Sequence, residues 1–340
     1  MRRREQDRGE TRGLGGDRVE GRHAVKELLL AGNRPVRQVV LSADQDPSPI
    51  LDDIIDLADE AGVDIRELPR GRFDQMAATD APQGVVAFAA PLREFSVEEL
   101  VADRHGSGPP GDSNRLYLSS GAEHAEHRTP PPPDQDEASI EDQDETTTGD
   151  QDEASIEDQD ETTTGDQDLL SSGDQDEAST EARPGVAPVL LLVVDGVTDP
   201  GNLGAILRTA ECAGVTGVVL PRHRAARITP TVAKRAAGAV EHLRFAPVSG
   251  IPTALATLAE LGVWTVGLDV AADETIWQLD IAEAPLALVL GAEGRGLSRL
   301  VRRRCDVTAR IPVTGRLDAL NVSAAAAIAL FEVLRRRSTA

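Results

Sequence analysis

The sequence predicts an α/β protein with two α/β domains on either side of a long acidic segment. Two observations carry this prediction. Helix-like and strand-like patterns alternate along 18–100 and again along 187–340. Between them, residues 134–181 contain 20 acidic side chains and no Lys or Arg. A chain of 340 residues is long enough for two domains of about 100–200 residues each.

The changes in composition divide the chain into four predicted segments. These are a disordered N-terminal arm (1–17), a small N-terminal domain (18–102), an acidic low-complexity linker (103–186) and a C-terminal domain (187–340).

The first domain alternates amphipathic helices with short apolar strands. The helix patterns are GRHAVKELLLAG, which Gly32 would end, and ILDDIIDLADEAG. The predicted strands are RQVVLSA, VDIRELP and GVVAFAA. Together they predict a small α/β domain.

The acidic segment is a tandem repeat, in which DQDEASIEDQDETTTG fills 134–149 and recurs unchanged at 150–165. Each unit has one Ile and no apolar face, so the units cannot stack into a solenoid, and their composition predicts disorder. Outside 134–181, 38 acidic side chains face 35 basic ones, so the net charge of −23 does not argue against an RNA partner. Drifted repeat expansion, a contribution to solubility and competition with RNA for a basic surface all stay open as roles.

In the second domain, strand patterns and helix patterns alternate more regularly than in the first. PVLLLVVDG (188–196) is a continuous apolar run, which is typical of a strand buried on both faces. In ITPTVAKRAAGA, Thr229 is a plausible N-cap and Pro230 occupies the first helical position. The other predicted strands are GVVLP, VWTVGLD and LALVLG, and the other predicted helices are NLGAILRTAECAG, IPTALATLAELG, LSRLVRRRC and one from about Leu320. This alternation predicts a parallel sheet with helices on both faces.

Composition excludes several classes of protein. Cys212 and Cys305 form no CxxC pair, which excludes a disulfide scaffold and a cysteine-based zinc site and favours a cytoplasmic location. No apolar run reaches about 18 residues, so no membrane span is expected. The opening MRRREQDRGE has no apolar segment behind its arginines and is not expected to be a secretory signal.

Three loops of the second domain follow predicted strands, where open parallel sheets bind their ligands. The first loop carries Asn202 and Arg208, the second carries Glu293 among three glycines, and the third carries Asn321 and Ser323. The glycine spacing in GAEGRG does not match the G-x-G-x-x-G of dinucleotide-binding proteins, which argues against an oxidoreductase.

In these loops the sequence resembles the SpoU/TrmH family of RNA ribose 2′-O-methyltransferases. The matching segments, in the family's order, are DPGNLGAILR (199–208), LVLGAEGRG (288–296) and IPVTGRLDALNVS (311–323). GRHAVKELL (21–29) and PQGVVA (82–87) resemble the family's N-terminal substrate-binding domain. The resemblance is closest to the branch that methylates a guanosine of 23S rRNA.

The resemblance implies a SPOUT-type C-terminal parallel sheet with a deep trefoil knot and a small L30e-like N-terminal domain. It also implies S-adenosylmethionine (SAM) as methyl donor, RNA as substrate and a homodimer, with no metal and no membrane. The positions that it assigns to cofactor binding are Gly291, Ile311 and Leu320, with Gly294 and Gly296 allowing close approach of the backbone. The polar active-site positions that it assigns are Asn202, Arg208, Glu293 and Asn321, with Ser323 beside them.

The chemistry of the expected reaction agrees with these residue types. A ribose 2′-hydroxyl is a poor nucleophile and needs proton removal or firm orientation. The resemblance gives Arg208 the role of base or hydroxyl orienter. Because a guanidinium stays protonated near neutral pH, clamping the target phosphate is the simpler physical role for this residue.

One departure from the family keeps other functions open. The family's S-L-N is A-L-N here, so Ala319 replaces a hydroxyl expected near the substrate or cofactor. One alternative is an enzyme of the same family that acts on tRNA or on an rRNA site whose methylation confers antibiotic resistance. The other is a catalytically impaired RNA-binding or assembly factor.

Overall fold

The structure is a computed structural model that describes residues 13–79, 82–102, 188–223, 225–280 and 284–339. The predicted acidic linker lies outside these ranges, as do residues 1–12 of the predicted N-terminal arm. The remaining residues of that arm are described, and Leu14 forms an antiparallel bridge with Leu92.

The first domain is a four-stranded mixed sheet in the order β1-β4-β2-β3 with helices packed on it. Its elements are β1 (Arg18–Glu20), α1 (Arg22–Ala31), β2 (Val36–Ser42), α2 (Pro49–Glu60), β3 (Asp64–Leu68), α3 (Arg70–Met76) and β4 (Val85–Ala89). Apolar faces of α1 and α2 cover the sheet, with Leu28 and Ile54 fully buried. Gly32 ends α1 with a φ of 58°, a left-handed conformation that glycine adopts without strain.

Helix α4 (Val97–Ala102) follows β4 in the chain but packs on the sheet of the second domain. Leu100 is fully buried, and a Cβ built on Gly217 of that sheet would lie 2.8 Å from its side chain. Just before the helix, the amide of Phe95 donates a hydrogen bond of 2.9 Å to the carbonyl of Phe245. The residues that precede the undescribed segment are therefore attached to the second sheet.

The second domain is a seven-stranded sheet in the order β7-β6-β5-β10-β8-β11-β9. Its elements are β5 (Leu190–Val194), α5 (Pro200–Cys212), β6 (Gly217–Pro221), α6 (Pro230–Arg235), a 3₁₀ turn (Ala239–Glu241), β7 (Phe245–Val248), α7 (Ile251–Glu260), β8 (Trp264–Leu268), β9 (Glu274–Thr275), a second 3₁₀ turn (Ile276–Gln278), β10 (Leu286–Leu290), α8 (Arg299–Arg304), β11 (Val307–Arg310) and α9 (Val322–Thr339). Each described strand pair in this sheet is parallel, which confirms the prediction.

Helices cover both faces of this sheet, as predicted. Helices α5, α6 and α9 share one apolar core with the sheet, and α4, α7 and α8 share the other. The central strands β5 and β10 are buried along their whole length, in accord with their continuous apolar sequences. The strand order is compatible with the implied trefoil knot, which stays a prediction. No helix in the described ranges is long and apolar enough to cross a membrane.

Candidate active site

Local capping fixes the start of α5, which carries the first predicted site residue. Asp199 is the N-cap, and its carboxylate accepts a hydrogen bond of 2.7 Å from the amide of Asn202. Pro200 follows at the first helical position, where a missing N–H costs nothing. The side chain of Asn202 is thereby held at the carboxyl edge of the second sheet, just beyond β5.

Asn202 meets the polar residues of the other two loops, and we call Asn202, Glu293, Asn321 and Ser323 the polar cluster. The side-chain amide of Asn202 donates a hydrogen bond of 2.8 Å to Oε2 of Glu293. The side-chain amide of Asn321 donates a hydrogen bond of 3.1 Å to Oδ1 of Asn202 and one of 3.4 Å to Oε1 of Glu293. The structure thus brings together four of the five predicted polar residues.

Asn321 also sets the start of α9. Its Oδ1 accepts hydrogen bonds from the backbone amide of Ser323 at 2.9 Å and from the Ser323 hydroxyl at 2.6 Å. It therefore acts as the N-cap of α9, and Ser323 lies both in the first turn of that helix and in the polar cluster. The cluster combines one carboxylate with two helix N-termini, whose partial positive charge favours a negative group.

The loop after β10 folds back on itself with almost no space between its two arms. Ala292 and Gly296 exchange two backbone hydrogen bonds, of 2.9 and 2.8 Å. A Cβ built on Gly291 would overlap backbone atoms of Gly296 and Leu297, so only glycine fits there. Glu293 lies at the exposed tip of this loop, from which it reaches the amides of the cluster.

The three predicted cofactor-contact positions lie at the same edge of the sheet. Gly291 follows β10, and Ile311 follows β11, with β8 between these two strands. Leu320 is exposed and directly precedes Asn321. Because the carboxyl ends of parallel strands meet at one edge, the loops that follow them can line one ligand site.

Arg208 is the predicted polar residue that does not join the polar cluster. It lies six residues after Asn202 on α5, which corresponds to about 9 Å along the axis and a different face of the helix. Its side chain is exposed, and within the described ranges it makes no hydrogen bond or ion pair. The guanidinium is therefore available to a ligand outside the cluster.

Asp269 is a polar residue at this edge that the sequence analysis did not mark. It follows β8, its Oδ1 accepts 2.8 Å from the amide of Ala271, and its Oδ2 lies 3.1 Å from Nε of Arg302. The signal available in the sequence was an acid directly after the strand pattern VWTVGL. The ion pair connects α8 to the end of β8, which lies between the strands that precede Gly291 and Ile311.

No activated thiol is found near these loops. Burial, together with the nearby carboxylates of Asp306, Asp195 and Asp269, raises the pKa of the Cys305 thiol to about 12. Cys305 therefore stays a neutral thiol, packed against Gly267. In the part of the chain that the structure describes, no three His, Cys, Asp or Glu side chains are grouped as metal ligands would be.

Comparison with known protein families gives two matches. The model of the SpoU rRNA Methylase family matches residues 189–331. The model for RNA 2′-O ribose methyltransferase substrate binding matches residues 18–95. Together the two matches cover most of the described residues.

Similar proteins carry methyltransferase names. The 23S rRNA (guanosine-2′-O-)-methyltransferase RlmB of Pseudomonas aeruginosa is 48% identical over 149 residues, 44% of this chain and 60% of that protein. The match thus spans less than two thirds of this relative's length. A protein of Staphylococcus saprophyticus assigned to the TrmH family of tRNA/rRNA methyltransferases is 28% identical over 321 residues, 94% of this chain and 96% of that protein.

Solved structures share the architecture. The SpoU methyltransferase AviRb from Streptomyces viridochromogenes superposes with a TM-score of 0.60 at 17% identity, covering 98% of this chain and 91% of that chain. An rRNA methyltransferase from Sinorhizobium meliloti with bound AdoMet (SAM) superposes with a TM-score of 0.57 at 19% identity, covering 94% of this chain and 87% of that chain. At these identities the likeness concerns the fold alone, and it confirms the predicted architecture of two α/β domains with a SPOUT-type sheet.

Proposed function

We propose, since this chain belongs to the SpoU family of rRNA methylases, that it transfers a methyl group from SAM to a ribose 2′-hydroxyl of RNA. The observation that carries the proposal is the polar cluster, which joins residues of three distant loops at the carboxyl edge of the second sheet. The similarity to RlmB proteins favours a guanosine of 23S rRNA as the target.

The glycine loop suits a bound SAM. Gly294 and Gly296 have φ values of 77° and 65°, and a Cβ built on either would meet no atom within 4 Å. Their backbone therefore faces open space that a ligand can approach. The backbone at Gly291, Ile311 and Leu320 would hold the cofactor there. When bound, SAM supplies a methyl group on a sulfonium cation, which is already activated for transfer.

The chain's own residues orient the ribose and protect it from water. Only Glu293 in the polar cluster has a carboxylate, so it is the group that accepts the hydroxyl proton or a hydrogen bond from it. The amides of Asn202 and Asn321 hold that carboxylate in place. Arg208 binds the adjacent phosphate, because a guanidinium forms paired hydrogen bonds with phosphate oxygens.

Replacing Glu293 by glutamine tests the carboxylate. A glutamine would turn one of the two accepting oxygens into an amide that cannot accept from Asn202 or Asn321. Hydrogen bonds to a charged group contribute about 1.5–3 kcal/mol, so we expect kcat to fall at least about tenfold. The exposed position predicts a melting temperature close to that of the parent.

The matched control is Glu260→Gln, which alters an exposed acid at the end of α7. This variant should keep the parental kcat in the same methyl-transfer assay. Parental kcat in Glu293→Gln would remove the carboxylate from the mechanism.

A homodimer belongs to the same proposal. Phe331 and Leu334 on α9 are 47% and 38% exposed, although both are large apolar side chains. Burying them between two copies would place the interface along the helix that Asn321 caps. A cytoplasmic location, which the cysteine content favours, stays a prediction.

A second candidate function is supported by Ala319, which stands one residue before Leu320 in the third loop. A chain that lacks the family's hydroxyl there could bind RNA and SAM and assist ribosome assembly without transferring the methyl group. A SAM titration combined with a methyl-transfer assay separates the two functions. Binding without transfer, restored to transfer by Ala319→Ser, would establish the second.

The substrate is tested by mapping ribose methylation in total RNA by mass spectrometry, with and without the gene. The proposal expects one 23S rRNA guanosine to lose its 2′-O-methyl group when the gene is absent. Loss at a tRNA nucleotide or at another rRNA nucleotide would correct the substrate and retain the chemistry. An unchanged methylation map, together with no transfer in vitro, would overturn the proposal.

A further inference from the structure

Two charged side chains from the two domains meet in the protein interior. Arg34, between α1 and β2, donates from Nε to Oε2 of Glu241 at 2.8 Å and from Nη2 to Oε1 at 2.6 Å. The side chains are 3% and 1% exposed. The remaining Nη1 of Arg34 donates 2.9 Å to the carbonyl of Ala90, so the guanidinium also holds the end of the first sheet.

The surroundings of this pair bring α1 directly against the 3₁₀ turn that contains Glu241. The side-chain amide of Asn33 donates a hydrogen bond of 2.8 Å to the backbone carbonyl of Glu241. Nε2 of His242 lies 2.8 Å from the carboxylate of Glu27 on α1. A Cβ built on Gly238 would lie 2.5 Å from Cβ of Glu27, so no side chain fits between the two backbones. The two domains are in close contact at this point.

The turn is connected to the polar cluster by packed backbone. It is the next element after α6, whose last residue is Arg235, and residues 236–238 connect the two. A Cβ built on Gly204 of α5 would overlap Cβ of Arg235, so α5 and α6 touch where α5 begins. Gly204 is two residues after Asn202, and the contact between the domains is therefore one helix away from the site.

A buried ion pair is a poor device for stability alone. Removing two charges from water costs so much free energy that a packed apolar pair is often as stable. A bidentate guanidinium–carboxylate pair does fix the direction of its partners, because both hydrogen bonds must be planar and parallel. The pair is thus better suited to setting an orientation than to adding stability.

We propose that the Arg34–Glu241 pair is a positioning device, which locks the first domain in one orientation so that RNA bound there presents its ribose to the polar cluster. This inference rests on the proposed function. If the lock is absent, only a fraction of molecules has the productive arrangement at any moment. The apparent affinity for RNA then falls by that fraction, whereas bound RNA still selects the productive arrangement and is methylated at the normal rate.

The test uses the full chain with Arg34→Met/Glu241→Met, which keeps the volume of both side chains similar and leaves no buried charge without a partner. We expect KM for RNA to rise about tenfold, with kcat and the Kd for SAM within about twofold of the parent. Arg34→Met alone is expected to be unstable, because it leaves Glu241 buried and unpaired. Arg37→Met is the control. It removes the ion pair between Arg37 and Asp17 in the same domain, and the Arg37 side chain is 61% exposed rather than buried.

A second measurement does not depend on activity. Spin labels on Glu60→Cys and Glu260→Cys, both exposed, report the distance between the domains in a Cys212→Ala background. We expect one narrow distance distribution in the parent and a broad one in the double methionine variant. A broad distribution in the parent would overturn the inference, and so would a variant with parental distribution and parental KM. If the parent methylates no RNA, the proposed function fails, and the distance distributions still decide whether the pair orients the domains.

Discussion

Replacing Gly291 by alanine is expected to weaken SAM binding roughly 100-fold. The added Cβ would overlap backbone atoms of Gly296 and Leu297, which cannot rotate away as a flexible side chain could. Forcing the loop arms apart costs about 3 kcal/mol, or roughly 100-fold in an equilibrium constant. Titration calorimetry with SAM measures the effect, and a thermal melt shows how far the loop change spreads into the domain.

The control for this prediction is Gly71→Ala, because a Cβ built there meets no atom within 4 Å and the backbone is helical. This variant should bind SAM as the parent does. If Gly291→Ala retained parental affinity, the glycine crossing would have no part in cofactor binding, and the site would have to lie elsewhere on the sheet edge.

Arg208→Ala is expected to lower kcat about 100-fold while the fold and the affinity for SAM stay unchanged. The side chain is exposed and makes no hydrogen bond or ion pair in the described ranges, so its removal leaves no protein group without a partner. What is lost is the guanidinium that, in the proposed mechanism, holds the RNA phosphate and aligns the ribose. Single-turnover methyl transfer at saturating SAM measures this step directly.

Two further variants sharpen the interpretation of Arg208. Arg208→Lys keeps the charge but loses the paired donors, so its rate should lie between those of the parent and Arg208→Ala. Arg66→Ala, an exposed arginine of the edge strand β3, should leave kcat unchanged. Full methylation by Arg208→Ala would remove this residue from the mechanism without affecting the proposed fold.

The sequence predicts those parts of the fold that short-range chemistry decides. Gly32 ends α1 in a left-handed conformation, and the hydroxyl of Thr229 accepts a hydrogen bond of 3.3 Å from the amide of Val232, as a cap should. Caps and continuous apolar runs depend on a few neighbouring residues, so they can be predicted from the sequence alone. Strand β7 could not be predicted in this way, because it is four residues long and contains Pro247, which disfavours a strand assignment.

The candidate site was predictable because it is built from loops at the carboxyl ends of parallel strands. Asn202 and Asn321 are 119 residues apart, yet their side chains lie within hydrogen-bonding distance because the sheet aligns the loops that carry them. The Arg34–Glu241 pair, 207 residues apart, gives no such signal. No periodicity in the sequence indicates which surfaces of two domains face each other.

The attachment of α4 has a consequence for how this chain can change in length. Residues on both sides of the undescribed segment belong to one core, since Leu100 and Val189 pack against the same face of the second sheet. Residues inserted between Leu100 and Val189 would leave both of them in this core. Even for a flexible connection, each doubling in length costs only about 0.6 kcal/mol. The gain or loss of one sixteen-residue unit is therefore expected to change the folding free energy of the chain by less than about 1 kcal/mol.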